Sequence, residues 1–302
     1  CQFGTFGLMG LLFRNMGLIR GKLITTFRGY DISWAIREFG DRVYDELFEQ
    51  GDFFLANCDF FRQRVLKLGC PEKKIIVHGS GIDCSKFAFA PRYLQSDSPV
   101  RIATTGRLVE KKGIEYCIHA IAKLAHIHPN IEYNIIGDGP LKENLQQLIE
   151  ELNVGHLVKL LGWKHQQEIV EILDKSHIFL APSVTAKGGD QDAPVNTLKE
   201  AMAMGLPVIS TQHGGIPELV EEGMSGFLVP ERDADAIAEK LSYLIKHPEI
   251  WPGMGQVGRA RVEEKYDMNT LNDELVEIYQ QLLNSELPQQ RVRDRPVVVA
   301  KT

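Results

Sequence analysis

Residues 190–218, DQDAPVNTLKEAMAMGLPVISTQHGGIPE, hold the clearest chemistry in this chain of 302 residues. Asp192 and Glu200 are two carboxylates separated by seven positions that include Pro194, Val195, Asn196 and Thr197. A helix beginning near Pro194 leaves its first backbone N–H groups without internal partners and its dipole positive at that end, so a phosphate can be held there. Proline suits a first turn, where its missing N–H costs little. Glu200 then lies further along the helix with a side chain long enough to accept from ribose hydroxyls. Asp192 precedes the helix and is placed to meet a sugar, so the pattern suits a nucleotide-sugar pocket.

A complementary set of charges stands in GRLVEKKG, residues 106–113. Arg107 offers a planar fork for two phosphate oxygens and Lys112 a compact point charge, together able to neutralise a diphosphate leaving group without a metal. Gly106 and Gly113 bracket them where backbone must approach a ligand. Lys111 reads as a solvated member of the same turn. IIGDGPL, residues 135–141, is a weaker signal that places Gly137 and Gly139 in a turn before a proline. In HGGIPE, residues 213–218, the paired Gly214 and Gly215 leave backbone amides open to phosphate or sugar oxygens. Glu218 reads either as part of that site or as support for the start of a following helix.

Asp190 and Asp192 also spell Asp-x-Asp, which in another class of sugar transferases chelates a metal. That role needs a hard cation bridging two carboxylates and a diphosphate. Arg107 and Lys112 already supply the positive charge, so no metal and no other cofactor is expected. His78, His119, His126, His128 and His177 have no partner pattern and read as packing or surface residues.

Loops of this kind need strands to aim them. After Pro99, strands at 100–105, 131–136, 157–161, 177–181 and 207–210 alternate with helices at 113–125, 140–152, 165–174 and 195–204. Nearly continuous apolar strands in such alternation predict an α/β fold with a parallel sheet covered on both faces. Ligands of these sheets bind at the carboxyl ends of the strands, where the residues above fall. Upstream, strands are expected at 22–28, 53–57 and 74–83 with a helix through Leu68, and a polar stretch at 84–99 reads as a linker. Helices at 233–246, about 254–264 and 269–284 follow, and the basic tail 285–302 reads as disordered.

Length predicts two domains, each with its own core. The 34 Lys and Arg against 40 Asp and Glu give a net charge of −6, which argues against a nucleic-acid partner. Five scattered cysteines without metal or redox spacing fit a reduced, cytoplasmic setting. The opening run FGTFGLMGLLF, residues 3–13, is too short to span a bilayer; it reads as a buried helix or, alternatively, as a patch in peripheral contact with a membrane.

Taken in order, GRLVEKKG, IIGDGPL, the Asp192 and Glu200 pair, EAMAMGLPVIST and HGGIPELVEEGMSGFLVP resemble the retaining glycosyltransferases of family 4. The similarity extends more weakly upstream through TFRGYDIS, and among such enzymes it is nearest those of colanic acid and other exopolysaccharide synthesis. The resemblance implies a GT-B fold of two Rossmann-like domains: 1–83 on the acceptor side, 100–268 for the nucleotide sugar, and 269–284 returning to the first. It also implies a UDP- or GDP-sugar donor, a glycan or lipid-linked glycan acceptor, and a cytoplasmic location, at most peripheral on the inner face of the membrane.

Family members carry glutamate at both acidic positions, so Asp192 is a shorter substitute for the first. They often carry histidine where Arg28 stands, and Arg28 is limited to an electrostatic role near the reacting sugar. Relatives begin with further strand and helix units bearing a glycine-rich loop, and this chain opens on Cys1. The first domain is therefore expected to be incomplete here, and the chain inactive by itself. Two alternatives share the fold: a non-catalytic nucleotide-sugar-binding partner and a nucleotide-sugar epimerase. A sugar phosphorylase would need a cofactor lysine motif, and none is evident.

Overall fold

A computed structural model of the chain describes residues 1–192 and 194–290. Two parallel sheets organise them. The first has three strands, β1 (Ile24–Phe27), β2 (Phe53–Ala56) and β3 (Ile75–Val77), in the order β1-β2-β3. Helix α1 (Gly4–Asn15) precedes it, α2 (Trp34–Phe39) and α3 (Asp45–Gln50) lie between β1 and β2, and α4 (Asp59–Lys67) leads to β3.

The second sheet has six strands: β4 (Val100–Thr105), β5 (Ile131–Ile136), β6 (Val158–Gly162), β7 (Ile178–Ala181), β8 (Val208–Thr211) and β9 (Gly226–Val229). Their order is β6-β5-β4-β7-β8-β9, so the winding reverses between β4 and β7. Helices α5 (Ile114–Leu124), α6 (Lys142–Glu151), α7 (Gln166–Asp174), α8 (Asn196–Ala203) and α9 (Ala234–Lys246) connect or follow the strands. Successive β4 residues Ile102 and Ala103 enter opposite apolar cores, one with α5 and α9 and the other with α8, which is how a sheet covered on both faces reads at residue level. Two long helices, α10 (Trp251–Tyr266) and α11 (Met268–Leu283), end the fold. Ile278 and Leu282 of α11 pack on Phe53, Leu55 and Ile76 of the first sheet.

Three expectations differ from the structure, and one strand was not expected. Residues 84–99 are no loose linker: Phe87 and Arg92 are buried, and Arg92 donates to the Met204 carbonyl at 2.6 Å, fastening the stretch to the second unit. The strand expected at 74–83 is only Ile75–Val77, because Gly79 to Gly81 turns away before Ile82 pairs with Asp267. Strand β9 went unread, since its four residues are bounded by a glycine and a proline and carry no alternation. Within 285–302, residues 285–290 are described, with Gln290 accepting from the Val77 N–H at 2.6 Å; residues 291–302 lie outside the described residues.

Helix α1 is buried on an unusual side. Gly4, Gly7 and Gly10 face the sheet, while Phe6, Met9, Leu12 and Phe13 stand 40–56% exposed. A Cβ on Gly7 would lie 2.7 Å from Thr25 Oγ1 and 2.8 Å from Leu47 Cδ2, so only hydrogen lets the helix sit this close. Among the described residues no helix is long and apolar enough to cross a membrane.

Candidate functional site

The winding reverses between β4 and β7, and the carboxyl ends of strands at such a reversal are where a doubly wound sheet takes its ligand. The loop after β4 carries Gly106, Arg107 and Lys112, and the loop after β7 carries Asp190 and Asp192. They are joined by the Val184 N–H, which donates to the Lys111 carbonyl at 2.9 Å. Gly113, in the left-handed region at φ 58°, passes so close to the Pro182 carbonyl that no Cβ fits there.

Asp192 is the electrostatic centre. Lys112 Nζ lies 2.7 Å from Asp192 Oδ2, Lys111 Nζ lies 3.3 Å from Oδ1 and 3.0 Å from Asp190 Oδ2, and Ser183 Oγ donates to Oδ2 at 3.1 Å. Burial alone would raise the Asp192 carboxyl, but Lys112 and Lys111 outweigh it and hold the group below the usual carboxylate range. Burial pulls the Lys111 ammonium down, and Asp192 and Asp190 more than restore it. Lys111 is thus a part-buried partner of both acids and not the solvated residue the sequence suggested. Its ammonium is shared between the two carboxylates. Among the described residues no group of three or more His, Cys, Asp or Glu side chains could hold a metal ion.

Arg107 is exposed and pairs with none of the described residues, so it stands uncommitted on the loop after β4. Lys112 and Asp192 are brought together, whereas Arg107 is not drawn to either acid. Gly137 and Gly139 face the neighbouring loop: a Cβ on Gly137 would collide with the Gly106 carbonyl and one on Gly139 would lie 2.5 Å from that of Leu108. Their visible work is to let the Arg107 loop settle. Gly214 and Gly215 do the same for the acidic loop, with Gly214 under the Asp192 carbonyl and Gly215 against Pro194 and Cys58.

Helix α8 starts at Asn196 with Val195 as its cap residue, later than a start at Pro194, because proline and Val195 keep extended or turn geometry. Thr197 occupies its first turn. Glu200 projects from α8 and accepts no hydrogen bond from a described residue, although burial raises its carboxyl above the usual range against the opposing pull of Lys199. Its residue is half-buried and its oxygens are not among the buried unsatisfied atoms, so the carboxylate is open to solvent or to a ligand.

Arg28, at the end of β1, is exposed and donates to Gln2 Oε1 at 2.6 Å and Ser80 Oγ at 3.4 Å. Its loop reaches the acidic one, since a Cβ on Gly29 would lie 3.1 Å from the Gln191 carbonyl. Two further residues tie the sheets together: Lys199, which the sequence did not single out, and Glu218, which takes neither of the roles it suggested. Lys199 Nζ, buried, donates to the Ser80 carbonyl at 2.6 Å and to Asn196 Oδ1 at 3.2 Å. Glu218 accepts from the N–H groups of Asp59 and Phe60, both at 2.8 Å, capping α4 of the first unit instead of its own helix or a ligand.

Two parallel-sheet units, the second with its winding reversal at the acids and Lys112, define an α/β protein of the GT-B architecture. The chain belongs to the glycosyl transferases group 1 family, whose profile matches residues 87–261. It is 38% identical over 285 residues to the putative colanic acid biosynthesis glycosyltransferase WcaL of Escherichia coli, covering 93% of this chain and 70% of that protein. It is likewise 38% identical to the amylovoran biosynthesis glycosyltransferase AmsK of Erwinia amylovora, over 93% of this chain and 69% of that one. Among solved structures, HepE of Anabaena in complex with UDP superimposes with a TM-score of 0.79 at 19% identity, over 92% of this chain and 77% of HepE. Sucrose-phosphate synthase of Thermosynechococcus elongatus gives 0.80 at 20% identity, over 94% and 73%.

Proposed function

We propose that the protein transfers a hexose or similar sugar from a UDP- or GDP-sugar to a growing glycan in exopolysaccharide or lipopolysaccharide synthesis, retaining the anomeric configuration and using no metal. The observation that carries this is the Asp192 carboxylate gripped by Lys112 and Lys111 at the winding reversal, with the unpartnered Glu200 on the helix that follows. Departure of the diphosphate is the difficult step, because negative charge grows on its oxygens as the glycosidic bond breaks. Arg107, Lys112 and the N–H groups near Val195 to Thr197 are then worth more in the transition state than before it. Glu200 takes the ribose hydroxyls, and Asp192 takes hydroxyls of the transferred sugar once Lys112 turns to phosphate. Lys111 keeps Asp192 paired meanwhile and supports the metal-free reading, its ammonium being shared between the two acids.

The names of the E. coli and Erwinia relatives support the polysaccharide assignment, and the UDP complex of HepE supports a nucleotide donor. The exposed Phe6, Met9, Leu12 and Phe13 support a peripheral station on the inner face of the cytoplasmic membrane, where a lipid-carried acceptor is reached. The test is to incubate full-length protein with labelled UDP- and GDP-sugars and glycan acceptors, with and without chelator. Acceptor-dependent transfer with retained configuration and no loss to chelator is expected. Inverted product, chelator-sensitive turnover, or release of free epimerised sugar would each contradict a stated part of the reading.

A further inference from the structure

His213 is fully buried at the end of β8, and both its ring nitrogens are engaged. The Asp192 backbone N–H points at Nε2 from 2.9 Å, and Nδ1 lies 2.6 Å from Glu231 Oε1. A backbone amide only donates, so Nε2 must be the bare nitrogen and Nδ1 must carry the proton, through which it donates a hydrogen bond to Glu231. The same carboxylate accepts from the Thr185 N–H at 2.8 Å and from Thr185 Oγ1 at 3.1 Å. Thr185 Oγ1 in turn accepts from Gln191 Nε2 at 3.0 Å. One imidazole and one carboxylate therefore hold the acidic loop at both ends, at Thr185 and at Asp192.

We propose that His213 and Glu231 form a positioning dyad for the donor-sugar site: Glu231 fixes the tautomer of His213, and that tautomer holds the backbone of Asp192 so that its carboxylate meets Lys112 and the sugar. This rests on the reading of Asp192 given above. The dyad does no proton transfer. Its part is geometric, and the opposite tautomer would set an N–H against the Asp192 N–H and push the loop outward. Neither residue belongs to the pattern of acids and cations through which the sequence announces the pocket.

The experiment compares His213→Leu, which fills the space without an acceptor, with His213→Gln, whose amide oxygen reaches the Nε2 position. Glu231→Ala, which frees the tautomer and leaves the ring in place, covers the case in which His213→Leu fails to fold. Turnover, nucleoside diphosphate affinity and hydrogen exchange of the Asp192 amide are read on each. His213→Leu is expected to lower turnover about 100-fold, as displacement of a positioned group by an ångström does, while nucleoside diphosphate affinity stays within about threefold. Exchange at Asp192 should rise at least tenfold, by an order-of-magnitude argument from one lost hydrogen bond. His213→Gln should recover most of both, and Glu231→Ala should follow His213→Leu with a smaller loss. Wild-type exchange in His213→Leu or Glu231→Ala, or a His213→Gln variant no better than His213→Leu, overturns the dyad. Raised exchange with unchanged turnover sustains the dyad and sinks the reading of Asp192 instead.

Discussion

Lys112 and Asp192 form a pair whose members are expected to part during the reaction, which makes their substitutions unequal. Removing the ammonium with Lys112→Met leaves Asp192 paired with Lys111 at 3.3 Å, so no buried charge is stranded and folding should be preserved. Turnover should fall about 10²- to 10³-fold, the usual loss of one donor to a developing oxyanion. A Lys112→Met enzyme with wild-type turnover in a steady-state assay would remove the assignment. Glu200→Gln keeps the shape of α8 and weakens the acceptor, so calorimetric titration should show the nucleoside diphosphate Kd rising roughly tenfold, the value of one charge-assisted hydrogen bond. Equal affinity in both proteins would leave Glu200 without its role. These residues were legible because their types and spacing carry meaning before folding. Lys111, Lys199 and His213 were not, because their roles depend on which loops meet. Nothing in KK distinguishes the lysine paired with two carboxylates from its neighbour paired with one.

At the scale of elements, most of the regular alternation after Pro99 was legible since runs such as VRIATT and IEYNII are rich in β-branched and apolar residues and stand between helical patterns. The short β9 and the early end of β3 were not, as glycines and packing partners set their limits. Helix α1 shows the deeper reason. Its apolar content was plain, but the side facing the protein is chosen by Gly4, Gly7 and Gly10, whose lack of side chains admits Phe27, Tyr44, Thr25 and Leu23. Gly7→Val should therefore destabilise the fold by about 1–3 kcal/mol through overpacking, whereas Phe6→Ser on the outer side should stay within about 0.5 kcal/mol. Urea unfolding of the two variants distinguishes them, and the opposite ranking would reverse the orientation given to α1.

The two sheet units are held together by polar contacts, most of them part-buried, as well as by the apolar packing of α11. Glu218 caps α4, Arg64 donates to Gln191, and Lys199 reaches the Ser80 carbonyl with its ammonium 4.6 Å from the Tyr266 ring centre. Burial lowers Lys199 from 10.5 to about 7, with Arg28 adding to that effect and Cys58 and Glu200 opposing it. Between those two values the unfolded chain binds the proton more tightly than the folded one, so the contribution of Lys199 to stability grows as pH rises from about 7 to about 10.5. Lys199→Met should flatten that rise, seen as a smaller difference between chemical-denaturation midpoints taken near the two ends of the window. An unchanged slope would show that Lys199 does not titrate there.

The ion pairs around Asp192 also bear on what the site attracts. Both lysines of the β4 loop are already matched by carboxylates of the chain, so an inorganic anion that recruits either of them must first draw it from an acid. A nucleotide sugar brings phosphate oxygens for the cation and hydroxyl groups for the acid in one molecule, and settles both debts in a single exchange. At these two lysines, simple anions are therefore expected to compete poorly with a ligand that carries both kinds of group.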